Sequence, residues 1–174
     1  MLVAEKNREK SPGIEFIKSS VETMIETISQ AMEQVTLRIN ELIKDDKVLA
    51  KKKETLKTIP GIGEIVANDL IALLPELGEC NRRQIASLTG VAPRANESGK
   101  FVGYRSTGHG RGLIKSMLFI AAMAARNSNS ELKSFYEKLV AKGKKKMVAL
   151  VALMRKIIVI ANAKLRDLMK TKVA

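Results

Sequence analysis

Residues 57–74 read KTIPGIGEIVANDLIALL, and the organisation of the chain follows from this stretch. Pro60 has no place inside a helix and biases Thr58 and Ile59 away from helical geometry, so a helical pattern arriving from upstream must break here. Gly61 and Gly63 flank the single apolar residue Ile62 and supply positions where the backbone can turn with positive φ. A new helix starts at once, with Ile65, Val66, Leu70, Ile71 and Leu74 at helical spacing. Helix, tight P-G-I-G turn and helix make a helix-hairpin-helix pattern, in which bare glycine amides at a helix N-terminus can meet a phosphate, so Gly61 and Gly63, with the amides of Ile62 and Glu64, are the candidate phosphate contacts. Such contacts hold a sugar-phosphate backbone without reading bases. An ordinary turn between two packed helices uses the same residues.

Composition narrows the choice. The chain has 174 residues, 45% of them hydrophobic and 3% aromatic with no Trp, so aliphatic side chains must fill the core. That mixture favours an all-α fold over a β-sandwich. One cysteine, Cys80, allows neither an internal disulfide nor a multi-cysteine zinc site and suits a reducing compartment. No signal-peptide pattern opens the chain, and its most apolar run, residues 147–165, is interrupted by Arg155 and Lys156, which favours a buried helix over a membrane span. The net charge of +13 is unevenly placed. Residues 1–79 hold 11 Lys and Arg against 14 Asp and Glu, whereas residues 80–174 hold 20 against 4. So basic a half is most simply a binder of polyanions, because every phosphate neutralised releases counterions; a solubilising surface is the plainer explanation.

Upstream of the turn, Ser11 and Pro12 form a helix start, and apolar residues then recur every seventh position at Ile14, Val21, Ile28, Val35, Leu42, Leu49 and Leu56. This predicts a long amphipathic, coiled-coil-like helix, or two helices broken near Asp45 and Asp46, pairing with a partner copy or within the chain. Downstream, Pro75 and Gly78 end the second hairpin helix, Asn81 caps a short helix that stops at Gly90, and residues 113–127, apolar all round, predict a central buried helix. Ser130 caps the next helix, and a last basic helix starts near Lys144. The expected division is a helical linker over 1–56, a helix-hairpin-helix domain over 57–143 and a basic C-terminal helix over 144–174.

Between these helices, residues 91–112 read VAPRANESGKFVGYRSTGHGRG and show no helical periodicity; Phe101, Val102 and Tyr104 allow a short strand or hairpin at most. Glycine-rich basic loops let phosphate approach the backbone while arginine clamps it. Arg94, Lys100, Arg105 and Arg111 are the candidate clamp. Ser98 is a candidate nucleophile that needs a base and cationic neighbours, with a turn serine as the plainer explanation. His109, the single histidine, is a candidate base or phosphate donor, or an exposed loop residue.

Four motifs in order, IPGIG with its following helix, LTGVAPR, ESGK and RSTGHGRGLIKSMLFIAAMAA, resemble the carboxy-terminal half of insertion-sequence transposases of the Piv/MooV type, the family numbered one hundred and ten. The resemblance covers residues 56–125, and LVAEKNR at residues 2–8 is similar to the usual start of the helical region joining that family's two halves. It implies a bacterial, cytoplasmic, nucleoid-associated DNA recombinase in which Ser98 attacks phosphate during strand exchange. It further implies a homodimer or higher oligomer, DNA as partner and, as in some members, a structured guide RNA. The family's divalent metal is held by four acidic ligands on a separate RuvC-like domain that this sequence lacks: Glu15, Glu22, Glu26 and Glu33 ride the heptad helix. No metal or other cofactor is therefore expected in this chain, and activity is expected only once the acidic domain is supplied. A non-catalytic DNA- or RNA-binding and dimerisation module is the alternative.

Overall fold

The computed structural model describes residues 12–170 and is mainly α-helical, with seven helices and four two-residue strands among them. The Ser11 cap and the LVAEKNR start lie outside the described residues. The chain divides into two compact units, Met1–Leu42 and Ile43–Ala174.

The first unit is occupied by helix α1, Pro12–Asp45, which runs on into the start of the second. Its 34 residues correspond to a rod of about 50 Å at 1.5 Å per residue. Serine and threonine side chains are accommodated by bonding back to the preceding turn, as Thr23 Oγ1 does to Ser19 O and Thr27 Oγ1 to Thr23 O. Of the heptad residues, Val21, Ile28, Val35 and Leu42 are exposed, whereas Leu56 is fully buried. Of the two alternatives, one long helix or two, the broken one is present: Asp46 is extended and its carboxylate accepts from the Val48 and Leu49 amides at 2.7 and 3.1 Å, capping α2, Lys47–Lys57.

In the second unit, α2 leads through the Pro60 turn into α3, Glu64–Leu73. Helix α4, Arg82–Leu88, follows, and Asn81 caps it with a full capping box completed by Gln84. Then come α5, Gly112–Asn127, α6, Glu131–Ala141, and α7, Lys146–Lys170. The centre of the unit is α7. Nine of its residues are buried, among them Leu153, Ile157, Ile158 and Leu165, and it packs against α2, α4, α5 and α6. The reading of residues 113–127 as the buried centre is thus corrected. Helix α5 buries Ile114, Leu118, Ala121, Ala122 and Ala125 but leaves Leu113 68% and Ile120 63% exposed. Its buried stripe is mostly alanine, whose small side chains let neighbouring backbones come close.

Two polar details tie loops to α7. Asn162, 1% exposed, accepts from the Gly78 amide at 2.9 Å and donates to Cys80 O at 2.7 Å, satisfying backbone groups of the α3–α4 connection. Ser130 is the N-cap residue of α6, but its hydroxyl pairs with that of Ser128 at 2.7 Å and makes no cap bond to the helix. No helix among the described residues is long and apolar enough to cross a membrane.

Candidate functional site

The segment expected to carry chemistry is an arch between α4 and α5. Strand β1, Pro93–Arg94, pairs antiparallel with β4, Ser106–Thr107, and β2, Glu97–Ser98, pairs with β3, Phe101–Val102. The Gly103 amide donates to Asn96 O at 2.8 Å between the two ladders. Ser98 faces Phe101 across a two-residue loop, Gly99–Lys100, and Gly99 has φ +56°, the left-handed geometry a tight hairpin loop asks of its glycine.

The feet of the arch are locked by a crossing of two glycines, to which sequence reasoning assigned no such role. A Cβ on Gly110 would lie 2.1 Å from Gly90 N and 2.6 Å from Leu88 O, so no larger residue fits there. The Arg111 amide donates to Leu88 O at 2.9 Å beside the crossing. The available signal was a pair of glycines, at the end of LTG and inside HGRG, that no helix cap explains for Gly110.

Ser98 is exposed, and its hydroxyl has no hydrogen-bond partner among the described residues. Lys100, beside it in the loop, is also exposed. The four cations proposed as one clamp are dispersed. Arg105 pairs with Glu97 at 3.3 Å across the hairpin. Arg94, His109 and Arg111 line a shallow concavity of about 520 Å³ with Cys80, Gln84 and Ser87, which Ser98 and Lys100 do not line. His109 has φ +61°, a left-handed conformation uncommon outside glycine.

Arg111 acts largely as a strut. Its guanidinium reaches Glu76 with two bonds of 2.6 and 2.9 Å and donates to Leu73 O at 2.7 Å, a terminal carbonyl of α3. The hydrogen bond from Arg111 holds the Glu76 carboxyl below the ordinary carboxylate range, and Glu76 in turn raises Arg111. Burial raises the Cys80 thiol above its usual value, helped by the charges of Glu76 and Glu79, which makes it a poor nucleophile at neutral pH.

The glycine turn also differs from its reading. Gly61 has the expected positive φ, +90°, but Gly63 does not: at φ −85°, ψ −175° it is the extended N-cap of α3. Gly61 is pressed into the core, since a Cβ there would lie 2.2 Å from Ala121 O. Ile62 is 4% exposed and its amide donates to Ile59 O at 3.0 Å, so it is engaged inside the turn and unavailable to a ligand. Gly63 has open space around it and Glu64 is exposed. The Glu64 carboxylate meets Lys53 Nζ at 2.7 Å, and that hydrogen bond and charge hold it below the ordinary carboxylate range. No group of three or more His, Cys, Asp or Glu among the described residues could hold a metal ion.

Residues 53–137, containing the turn, the arch and α5, match the family described as Transposase IS116/IS110/IS902. The Pilin gene-inverting protein of Moraxella lacunata is 28% identical over 170 residues, covering 95% of this chain and 52% of the relative, and that of Moraxella bovis gives the same figures. The Insertion element IS110 uncharacterized 43.6 kDa protein of Streptomyces coelicolor is 24% identical over 156 residues, covering 88% of this chain and 38% of its own. The chain spans about half the length of the Moraxella relatives it matches.

Proposed function

We propose that this chain is the serine-bearing part of a Piv/MooV-type DNA transposase or recombinase that mobilises an insertion sequence. The carrying observation is Ser98: an exposed, unpartnered hydroxyl at an arch tip beside Gly99 and Lys100, within the segment that matches the transposase family. In the proposed step Ser98 Oγ attacks a DNA phosphorus. The Oγ–P bond forms as one bond from phosphorus to a deoxyribose oxygen breaks; the serine proton leaves to a base, and the freed oxygen takes a proton from solvent.

Within this chain, Lys100 and Arg94 are the cations proposed to steady the phosphate, with His109 as a donor to it. Gly63 and the Glu64 amide, at the open N-terminus of α3, are proposed to hold the neighbouring backbone in a helix-hairpin-helix contact. Arg105 and Arg111 contribute through the ion pairs that shape the arch and its base. The divalent metal is proposed to be held by the carboxylates of a separate acidic domain, as the family resemblance implies. The exposed heptad face of α1 is proposed as a coiled-coil dimer seam, and DNA in the bacterial nucleoid, with a structured guide RNA, as the partners.

A second reading, a non-catalytic DNA- or RNA-binding and dimerisation module, is favoured by one observation: Arg105 and Arg111 are already paired with carboxylates. The two are separated by adding the acidic domain, a divalent cation and insertion-end DNA. A covalent protein–DNA adduct that forms with wild type and disappears in Ser98→Ala is expected; an adduct that persists in Ser98→Ala would refute the assignment.

A further inference from the structure

Two concavities of the second unit meet on one stretch of α7, away from the residues assigned above to the glycine turn and the nucleophile. The first, about 640 Å³, lies between the base of the arch and the start of α7. Its wall is apolar, formed by Val91, Pro93, Val148 and Val151, and Tyr104, 78% exposed, stands among the lining residues. The second, about 510 Å³, is lined by Arg82, Arg83, Arg155 and Lys156 around Phe135. Ala152 and Arg155 line both, so the two adjoin along α7.

The charges in this groove are unbalanced. No carboxylate lines either concavity, and Arg82, Arg83 and Arg155 have no carboxylate partner among the described residues. Lys156 Nζ sits 4.3 Å from the centre of the Phe135 ring, a position that leaves its charge without a counterion. Like charges lining one concavity repel, and a polyanion lying across them relieves the repulsion while releasing its own counterions. The adjoining slot asks for something different, a flat apolar face able to stack on an exposed phenol ring. A duplex supplies phosphates but keeps its base faces stacked inside; an unpaired strand offers both at once.

We propose that this groove binds an unpaired stretch of nucleic acid, its phosphates on Arg82, Arg83, Arg155 and Lys156 and one base stacked in the Tyr104 slot. The inference rests on the nucleic-acid reading above but not on Ser98 or on the glycine turn. DNA and RNA strands share this chemistry, and the test compares them.

The full chain is titrated with labelled oligothymidylate, oligouridylate, an abasic deoxyribose-phosphate strand of equal length, and a duplex. Tyr104→Ala, a change at an exposed side chain, is expected to weaken oligothymidylate or oligouridylate about tenfold, the scale of one lost base stack, while leaving the abasic strand unchanged. Whichever of the two base-bearing strands shows the larger loss identifies the natural source. The double variant Arg82→Ala, Arg155→Ala is expected to weaken every single strand and flatten the plot of log affinity against log salt by roughly 1.4 for two lost phosphate contacts. An equal loss on the abasic strand, or no loss on any strand, overturns the base slot. Self-association lost in Tyr104→Ala, with strand binding unchanged, overturns it in favour of a second copy. Wild type that binds duplex with a steep salt slope, yet shows no sensitivity to these variants, sinks this groove alone. Wild type that binds no nucleic acid sinks it together with the proposed function.

Discussion

Gly61→Ala is the change that decides what the glycine turn is for. The backbone at Gly61 sits at φ +90°, where an alanine is strained by about 1–2 kcal/mol relative to glycine. The added methyl would also sit 2.2 Å from Ala121 O and 2.9 Å from both the amide nitrogen and the Cβ of Ala125, so α5 or the turn must move. Forcing such overlap into a packed interior costs about 1–3 kcal/mol. The stiffer unfolded chain returns about 0.4–1 kcal/mol, leaving a net loss near 2–4 kcal/mol. That is a large share of the roughly 5–15 kcal/mol that holds a typical domain. In urea unfolding followed by circular dichroism, an m-value of about 2 kcal/mol/M turns this loss into a midpoint lowered by roughly 1–2 M. Gly63→Ser is the matched control: φ is −85°, nothing lies within 4 Å, and a serine at this N-cap adds a capping hydroxyl. Its unfolding free energy should stay within about 0.5 kcal/mol of wild type or rise. If Gly61→Ala unfolds at the wild-type urea concentration and loses only DNA affinity, the packing account of this glycine is wrong and the phosphate account is right.

Other expectations follow from the ion pairs and the nucleophile. Glu64→Gln should destabilise by up to about 1 kcal/mol at neutral pH, because it weakens the partner of the nearly buried Lys53 ammonium. Since Lys53 holds the Glu64 carboxyl below its ordinary range, the folded state binds that proton less readily than the unfolded one. The stabilisation is therefore complete above the ordinary carboxylate range and fades as the pH falls, so wild-type and variant melts should converge below about pH 4. A constant gap down to acid pH would mean the loss is not electrostatic. Arg111→Ala should open the base of the arch, seen as faster proteolysis between Val91 and Gly112 with the helical signal kept, and Arg111→Lys should rescue it only in part because lysine cannot make the bidentate contact to Glu76. Unchanged proteolysis in Arg111→Ala would show that the glycine crossing alone holds the arch. Ser98→Ala should leave the unfolding free energy within about 0.5 kcal/mol of wild type, as expected for an exposed side chain with no partner, so that any lost adduct reports chemistry and not folding.

Several elements were legible because local rules decide them. The cap at Asn81, the stop at Gly90 and the turn at Pro60 each depend on residues within a few positions, and each is present, as is the break near Asp46 that was one of two alternatives. The same locality exposes where pattern reading stopped. Residues 113–127 look apolar on every side, but a helix's apolar content does not say which neighbour is longer and more central, and α7 takes that place. Gly61 and Gly63 look equivalent in sequence, yet one is jammed against α5 and the other is an open N-cap, a difference set by a helix some sixty residues away. Arg94, Lys100, Arg105 and Arg111 look like one clamp, yet Arg105 is paired with Glu97 and Arg111 with Glu76, and only Arg94 and Arg111 line the same concavity.

By itself, the amino-acid order determined the helical class, the positions of most helix ends, the concentration of positive charge in the second half and the glycine-rich segment that carries Ser98, since all four depend on composition and short-range geometry. Tertiary structure decided which glycines are structural, which arginines are paired, that Arg82 and Arg155 share a groove with Tyr104, and that α7 is the axis of the core. Those outcomes depend on which surfaces meet, and contacts between residues far apart in the chain leave little trace in the spacing of either one.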